Sequence, residues 1–315
     1  MLPTQFRLSL LKLFAAILIF GTVPASISSV SADAFSLGLL RLCAATLAFS
    51  VILLASGKFR ELRRLSGKEW QTLLLIGFLF GLHWLTYILS IKKGGPAIGA
   101  IGFTTYGVQI PLLGWLFGFG RPSLRTFLAF ALAISGASLC LIENNKERPQ
   151  IESAVAETDA AIPPETSSTA SGGLAVWLVV ALLSGTFYAG LPLLHQRNAH
   201  LSNSVRTWAQ FTFALPVFLL TLPMAEGNFP REEIWLLAHL ALIVTVVGHF
   251  LWVQGATELP IALTGVLAYL QLPSSLFCAW LFVDEPLTAA MLVGAMLVIV
   301  GNLIAISDRR KQSAA

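Results

Sequence analysis

Ten apolar stretches, each about 20 residues long, constrain this chain more than any motif in it. They fall near 13–30, 37–56, 70–91, 97–117, 124–142, 174–194, 205–224, 234–256, 261–282 and 287–306. A helix of that length crosses the ~30 Å hydrocarbon core of a bilayer. Backbone groups in lipid find no water, so each crossing segment must satisfy its own amides as a helix. The runs also lack the alternating pattern of barrel strands. Composition agrees: of 315 residues, 56% are hydrophobic and 11% charged, where an average soluble protein carries about 25% charged residues. Mean hydropathy is +0.78. The fold class predicted is an all-α integral membrane protein with ten transmembrane helices. Cys43, Cys140 and Cys278 form an odd set inside apolar runs, so small buried hydrophobes are expected rather than a disulfide framework.

One stretch breaks the pattern. Residues 143–173 read ENNKERPQIESAVAETDAAIPPETSSTASGG, acidic and rich in Ser, Thr and Pro. Such a composition does not repay its ordering entropy, so a disordered linker is expected between a first unit, 1–142, and a second, 174–306, with a tail at 307–315. Arg7 and Lys12 ahead of an apolar run, with Val30-Ser31-Ala32 after it, also fit a cleaved leader. The repeat described next requires that segment as a helix.

Orientation follows from Lys and Arg in the loops. With the N-terminus inside, cytoplasmic segments hold fourteen of these residues and outer segments five, so both termini are expected in the cytoplasm. The net charge of +4 then reflects topology anchors such as the Lys58–Lys68 hairpin facing anionic lipid, and no nucleic-acid partner is expected.

The two units repeat. Gly21-Thr22-Val23-Pro24-Ala25 aligns with Gly185-Thr186-Phe187-Tyr188-Ala189, Arg41 with Arg206, and His83 with His249. Pro96 aligns with Pro260, Gln109-Ile110-Pro111 with Gln271-Leu272-Pro273, and Gly136 with Gly301, all at spacings of 162–166 residues. Five helices is an odd number, so the second unit enters the membrane from the opposite face. Two inverted five-helix repeats are therefore expected. That architecture is found in secondary transporters, whose sites lie near the midplane between the repeats.

Further residues carry a family resemblance: Leu39-Leu40-Arg41, the Pro96-Ala97 and Pro260-Ile261 helix entries, Pro111 and Pro273. With Asp284-Glu285-Pro286-Leu287, Gly294 and Gly301, they make the chain outside the linker resemble EamA-type carriers of the drug/metabolite transporter superfamily. The first unit departs from that pattern with Gly120-Arg121-Pro122 where a glutamate is expected, so any role of that glutamate carries over to Glu285 alone. The resemblance implies ten spans in two repeats, and export of amino acids, other metabolites or drugs.

Polar groups at membrane depth are few. No Asp or Glu lies in the middle of any span; all 16 acidic residues fall at helix ends, in loops or in the linker. If transport is proton-coupled, a histidine must hold the proton, and His83 and His249 lie near the midplane. Each also fits a plain interhelical hydrogen bond. Gln109 and Gln271 precede prolines that free the carbonyls of Gly107 and Tyr269, so each kink is expected to face a cavity or a polar neighbour. Thr264, Ala268, Gln271 and Ser275 form one helical stripe, favoured as lining. Trp84, Tyr87, Tyr106, Tyr188, Trp252 and Tyr269 lie deep, where their polar tips require partners. Arg41 is placed either to snorkel or to hold a substrate carboxylate through its planar fork.

The candidate substrate-binding set is Arg41, His83, Trp84, Tyr87, Tyr106, Gln109, Tyr188, His249, Trp252 and Gln271, with no metal and no cofactor. The expected function is secondary transport of a small, amino-acid-like metabolite across the cytoplasmic membrane, outward, by alternating access. A membrane-embedded enzyme is the competing class, but no His-Glu-x-x-His, paired intramembrane aspartates or serine–histidine constellation is present. Against a non-transporting scaffold or receptor stand only the deep polar pairs. Oligomeric state is not legible in the sequence.

Overall fold

The computed structural model describes residues 4–118, 170–283 and 287–312, with scattered positions between 121 and 139. Cys140, residues 143–169, Asp284-Glu285-Pro286 and much of the expected span 124–142 lie outside the described residues.

Among the described residues all regular structure is helical. The chain runs α1 (Thr4–Gly21), α2 (Val23–Ser29), α3 (Ala34–Ala55), α4 (Gly67–Gly94), α5 (Pro96–Thr104), α6 (Tyr106–Leu116) and α7 (Ala170–Arg197). It continues as α8 (Asn203–Thr212), α9 (Leu215–Leu219) and α10 (Ile234–Ala238), then a π-helical segment at His239–Gly248. Last come α11 (His249–Glu258), α12 (Ile261–Ala268), α13 (Gln271–Val283) and α14 (Ala289–Gln312). By length and composition, six helical runs in this part are able to cross a membrane: 4–29, 34–55, 67–94, 176–197, 231–258 and 263–282. The last residues assigned to the linker, Ala170–Gly173, are already helical, and α14 runs on through most of the expected tail.

Caps set the helix starts. The Asp33 carboxylate accepts from the amides of Phe35 and Ser36, both at 2.9 Å, and opens α3. Ser66 and Glu69 form a reciprocal capping box at α4. Gly95, at φ 91°, ends α4 in a conformation closed to most side chains, and Pro96 immediately begins α5. Prolines also explain several breaks. A proline ring clashes with the carbonyl four residues back, which places the interruption at Tyr269–Leu270 ahead of Pro273 and at Phe213–Ala214, just after the Thr212 carbonyl, ahead of Pro216. The first unit departs from expectation here. Helix α6 continues through Pro111, and the break comes earlier, at Thr105. Gly107 lies flat on the Tyr269 ring, where a Cβ would stand 2.5 Å from the ring edge. Thr105 instead bonds back to the Gly102 carbonyl at 2.7 Å, a contact that bends helices.

Packing is inverted relative to a soluble protein. Leu18, Leu47, Leu116 and Leu220 face outward, while Arg41, His83, Arg206, Gln210, His249 and Gln271 are buried. Lipid tails are as apolar as leucine, so close backbone approach and interior hydrogen bonds must hold the helices together. Gly77 and Gly81 serve that contact within the chain. A Cβ on Gly77 would stand 2.3 Å from Phe213 Cβ, and one on Gly81 would stand 2.8 Å from Val217. Gly118, by contrast, has φ 82° and no atom near its Cβ position. Cys278 is buried as expected, but Cys43 is exposed, because it lies on the α3 face opposite Leu42 and Ala45.

Polar contacts close the bundle at both ends. At one end Glu233 accepts the Ser31 amide at 2.9 and 3.0 Å, Asp33 accepts the Glu226 amide at 3.0 Å, and Lys92 donates to the Val30 carbonyl. Partial burial pushes the Asp33 carboxyl up, but hydrogen bonds from Ser36 and from the amides of Ser36, Glu226 and Phe35 outweigh it and hold the group below its ordinary value. At the opposite end Glu258 meets Ser9 and, at 3.6 Å, Lys12. There Glu61 accepts the Ser202 amide at 2.7 Å, and Glu69 pairs with His200 at 2.6 Å.

Candidate functional site

Between those ends, helices from both units converge on one small cavity. It is lined by Phe20 and Val23 at the α1–α2 break, Arg41 of α3, and His83, Trp84 and Tyr87 of α4. Phe103 of α5, Tyr188 of α7, His249 of α11 and Gln271 of α13 complete the wall. Its volume is about 20 Å³, room for about one or two water molecules. In this conformation an organic solute has no space there.

Arg41 does not snorkel. It is 2% exposed, with its guanidinium carbon 4.1 Å above the Trp84 ring, and its Nε donates to Thr245 Oγ1 at 3.0 Å. Thr245 passes its own hydroxyl hydrogen to the Leu240 carbonyl at 2.6 Å, so it is free to accept. Among the described residues no carboxylate lines the cavity. The matching Arg206 is held more fully, its Nε donating to the Leu201 carbonyl and its Nη1 to the His195 carbonyl and Thr257 Oγ1.

The histidines are held in aromatic cages. His83 lies against Phe103, Tyr188 and Tyr87 with centroids 4.6–5.7 Å away. Its Nδ1 is 2.7 Å from Ser184 Oγ, and that hydroxyl lies 3.1 Å from the His83 carbonyl. With the single hydroxyl hydrogen given to the carbonyl, Nδ1 is the donor and the neutral ring keeps a lone pair on Nε2. His249 is ringed by Phe20, Phe80, Trp84 and Phe211. Its Nδ1 is 3.2 Å from the Val244 carbonyl, which only accepts, so Nδ1 carries hydrogen there too.

The remaining sequence candidates sort by distance from the cavity. Tyr106 and Trp252 stand behind the wall, with Tyr106 5.0 Å and Trp252 5.9 Å from the Tyr188 ring, and the Tyr106 hydroxyl 3.4 Å from Gln271 Oε1. Gln109 is not brought to the cavity. The break at Thr105 turns it away, and its Nε2 bonds back to Thr105 Oγ1 at 3.3 Å. The stripe through Thr264, Gln271 and Ser275 fails as a lining because the break at Tyr269–Leu270 interrupts its period; only Gln271 reaches the cavity. The hydroxyls of Thr264 and Ser275 are buried without a hydrogen-bond partner among the described residues.

Sequence reasoning missed Phe20, Val23 and Phe103, whose apolar side chains look like any packing residue. It also missed Thr245 and Ser184. The spacing of Thr245 four residues before His249 was a usable signal. Among the described residues no three His, Cys, Asp or Glu side chains converge to hold a metal ion.

Residues 175–307 match the EamA-like transporter family, consistent with the drug/metabolite transporter superfamily. A crystal structure of another protein, 18% identical in sequence, superposes with a TM-score of 0.70 over 94% of this chain and 96% of its own, so that fold is shared. No curated protein matches the sequence. The apolar helices and the family match over residues 175–307 together make the chain a multi-pass membrane protein.

Proposed function

We propose that the chain is a ten-span secondary transporter that moves a small organic metabolite outward across the cytoplasmic membrane by alternating access. Both termini lie in the cytoplasm in this reading, and the two units are inverted repeats. The observation that carries it is the cavity: a buried arginine, two histidines and Gln271, drawn from both units and closed by polar contacts at either end of the bundle.

Contacts between elements support the inverted repeat. Helix α1 packs on the π segment and α11, as α7 packs on α4. Helix α3 against the π segment is matched by α8 against α4, while α3 meets α8 and α6 meets α12 across the centre. Exchanging the units maps this set of contacts onto itself. The end contacts support the parity, because every pair joins segments that the loop charges assign to one face. Amphipathic, acid-bearing substrates suit Arg41 and the aromatic wall, and His83 and His249 are the groups proposed to couple transport to protons.

Transport is testable without knowing the substrate. Proteoliposomes carrying the protein and protein-free liposomes are incubated with a mixture of amino acids, organic acids and amines, and the lumenal contents are compared by mass spectrometry. Enrichment of a defined small set in the proteoliposomes is expected. Identical contents would overturn the reading in favour of a scaffold or receptor.

A further inference from the structure

Among the described residues the cavity wall carries one cation and no anion. Asp33, Glu61, Glu69, Glu226, Glu232, Glu233 and Glu258 stand in loops or terminal turns, and none of them lines the cavity. Arg41 uses only Nε, on Thr245, and its terminal nitrogens make no hydrogen bond among the described residues. A second donor is idle on the same wall: Tyr87 is 5% exposed, and its hydroxyl is buried without a hydrogen-bond partner among the described residues. Around both lie the flat faces of Phe20, Trp84, Phe103 and Tyr188.

We infer that the solute taken by this site is an organic monoanion with a flat apolar body, its acid group held by Arg41 and the Tyr87 hydroxyl, in preference to zwitterions and cations. The inference rests on the transport reading above and narrows its substrate class. An uncompensated charge at membrane depth is unfavourable, and a monoanion brings the site to neutrality. The guanidinium fork offers parallel N–H donors to the two oxygens of a carboxylate, and such charge-assisted pairs are the strong ones. A zwitterion leaves the site with a net positive charge and brings an ammonium that no carboxylate on the wall receives. A cation adds a second positive charge beside the first. The rings then take the body of the molecule by stacking and edge contacts. Because the present volume admits only water, the solute enters when the helices part at one end.

A charge series on one skeleton tests this. The purified protein is titrated with 3-phenylpropionate, phenylalanine, phenethylamine and 3-phenylpropanol, reading its thermal unfolding midpoint, and proteoliposome uptake of each is measured in parallel. The anion alone is expected to raise the midpoint and accumulate. Arg41→Gln should weaken its binding about tenfold to a hundredfold, the range for a lost charged hydrogen bond. Arg41→Lys should retain part of it, and Tyr87→Phe should weaken it less than Arg41→Gln. Equal or stronger response to phenylalanine or phenethylamine overturns the inference, as does no response to the anion. If Arg41→Gln fails to fold, the wild-type series still decides. Binding of the anion without uptake would instead count against the transport reading and leave the anion site standing. Uptake of the zwitterion or cation would do the reverse.

Discussion

At the scale of single residues, Arg41 and Arg206 show how one sequence signal yields two physical outcomes. Both are matched positions on matched helices and both are buried, yet Arg206 makes three hydrogen bonds, to two carbonyls and Thr257, while Arg41 makes one among the described residues and keeps its terminal donors beside the cavity. Losing Arg206 strips two carbonyls of charged partners, so Arg206→Met should lower unfolding stability by about 2–3 kcal/mol. Arg41→Met removes a buried charge with no counter-ion and gives up one hydrogen bond and a ring contact, so its unfolding temperature should stay level or rise. Thermal unfolding of the two variants side by side checks this, and a stability loss in Arg41→Met as large as in Arg206→Met would contradict it. Much of the site was legible because ionisable and aromatic groups at membrane depth are rare and stand out: Arg41, His83, Trp84, Tyr87, Tyr188, His249 and Gln271 all reach the wall. The rest was not, because Phe20, Val23 and Phe103 differ from packing residues only in where their helices break.

At the scale of elements, the sequence marked where helices run better than where they bend. Apolar length located the six helical runs able to cross a membrane, since lipid forces that length. The π segment at His239–Gly248 holds no proline and no glycine before its last residue; inside it stands the run Ile243 to Val247, five consecutive β-branched residues that fit a regular helix poorly. That widening sets Thr245 and His249 at Arg41 and the cavity. The kink at Pro111 was misplaced because packing at Gly107, which is tertiary, decided where the bend goes. Capping was local and therefore readable, and Asp33 gives a pH test. Its folded-state pKa lies below the ordinary 3.8, so its contribution is present above that value and fades as pH falls through the folded one. Asp33→Ala should cost about 1 kcal/mol near neutrality. Asp33→Asn should cost less there and flatten the loss of stability below about pH 4, followed by thermal unfolding across pH. An unchanged acid limb in Asp33→Asn would show that other carboxylates set it.

As a whole molecule the chain is a bundle closed at both ends around a cavity too small for an organic solute. In the proposed transport cycle each end opens in turn, while simultaneous opening would give a leak. The end contacts are the parts that must separate: Ser31 from Glu233 at one end, Ser9 from Glu258 at the other. The most direct measurement places one cysteine pair at each end, Ser31→Cys with Glu233→Cys and Ser9→Cys with Glu258→Cys, in a background where Cys43, Cys140 and Cys278 are serine. Metabolite uptake into proteoliposomes is then followed with either pair oxidised and again after reduction. The account predicts that a disulfide at either end alone stops uptake and that reduction restores it. Uptake that continues with one end locked would contradict alternating access.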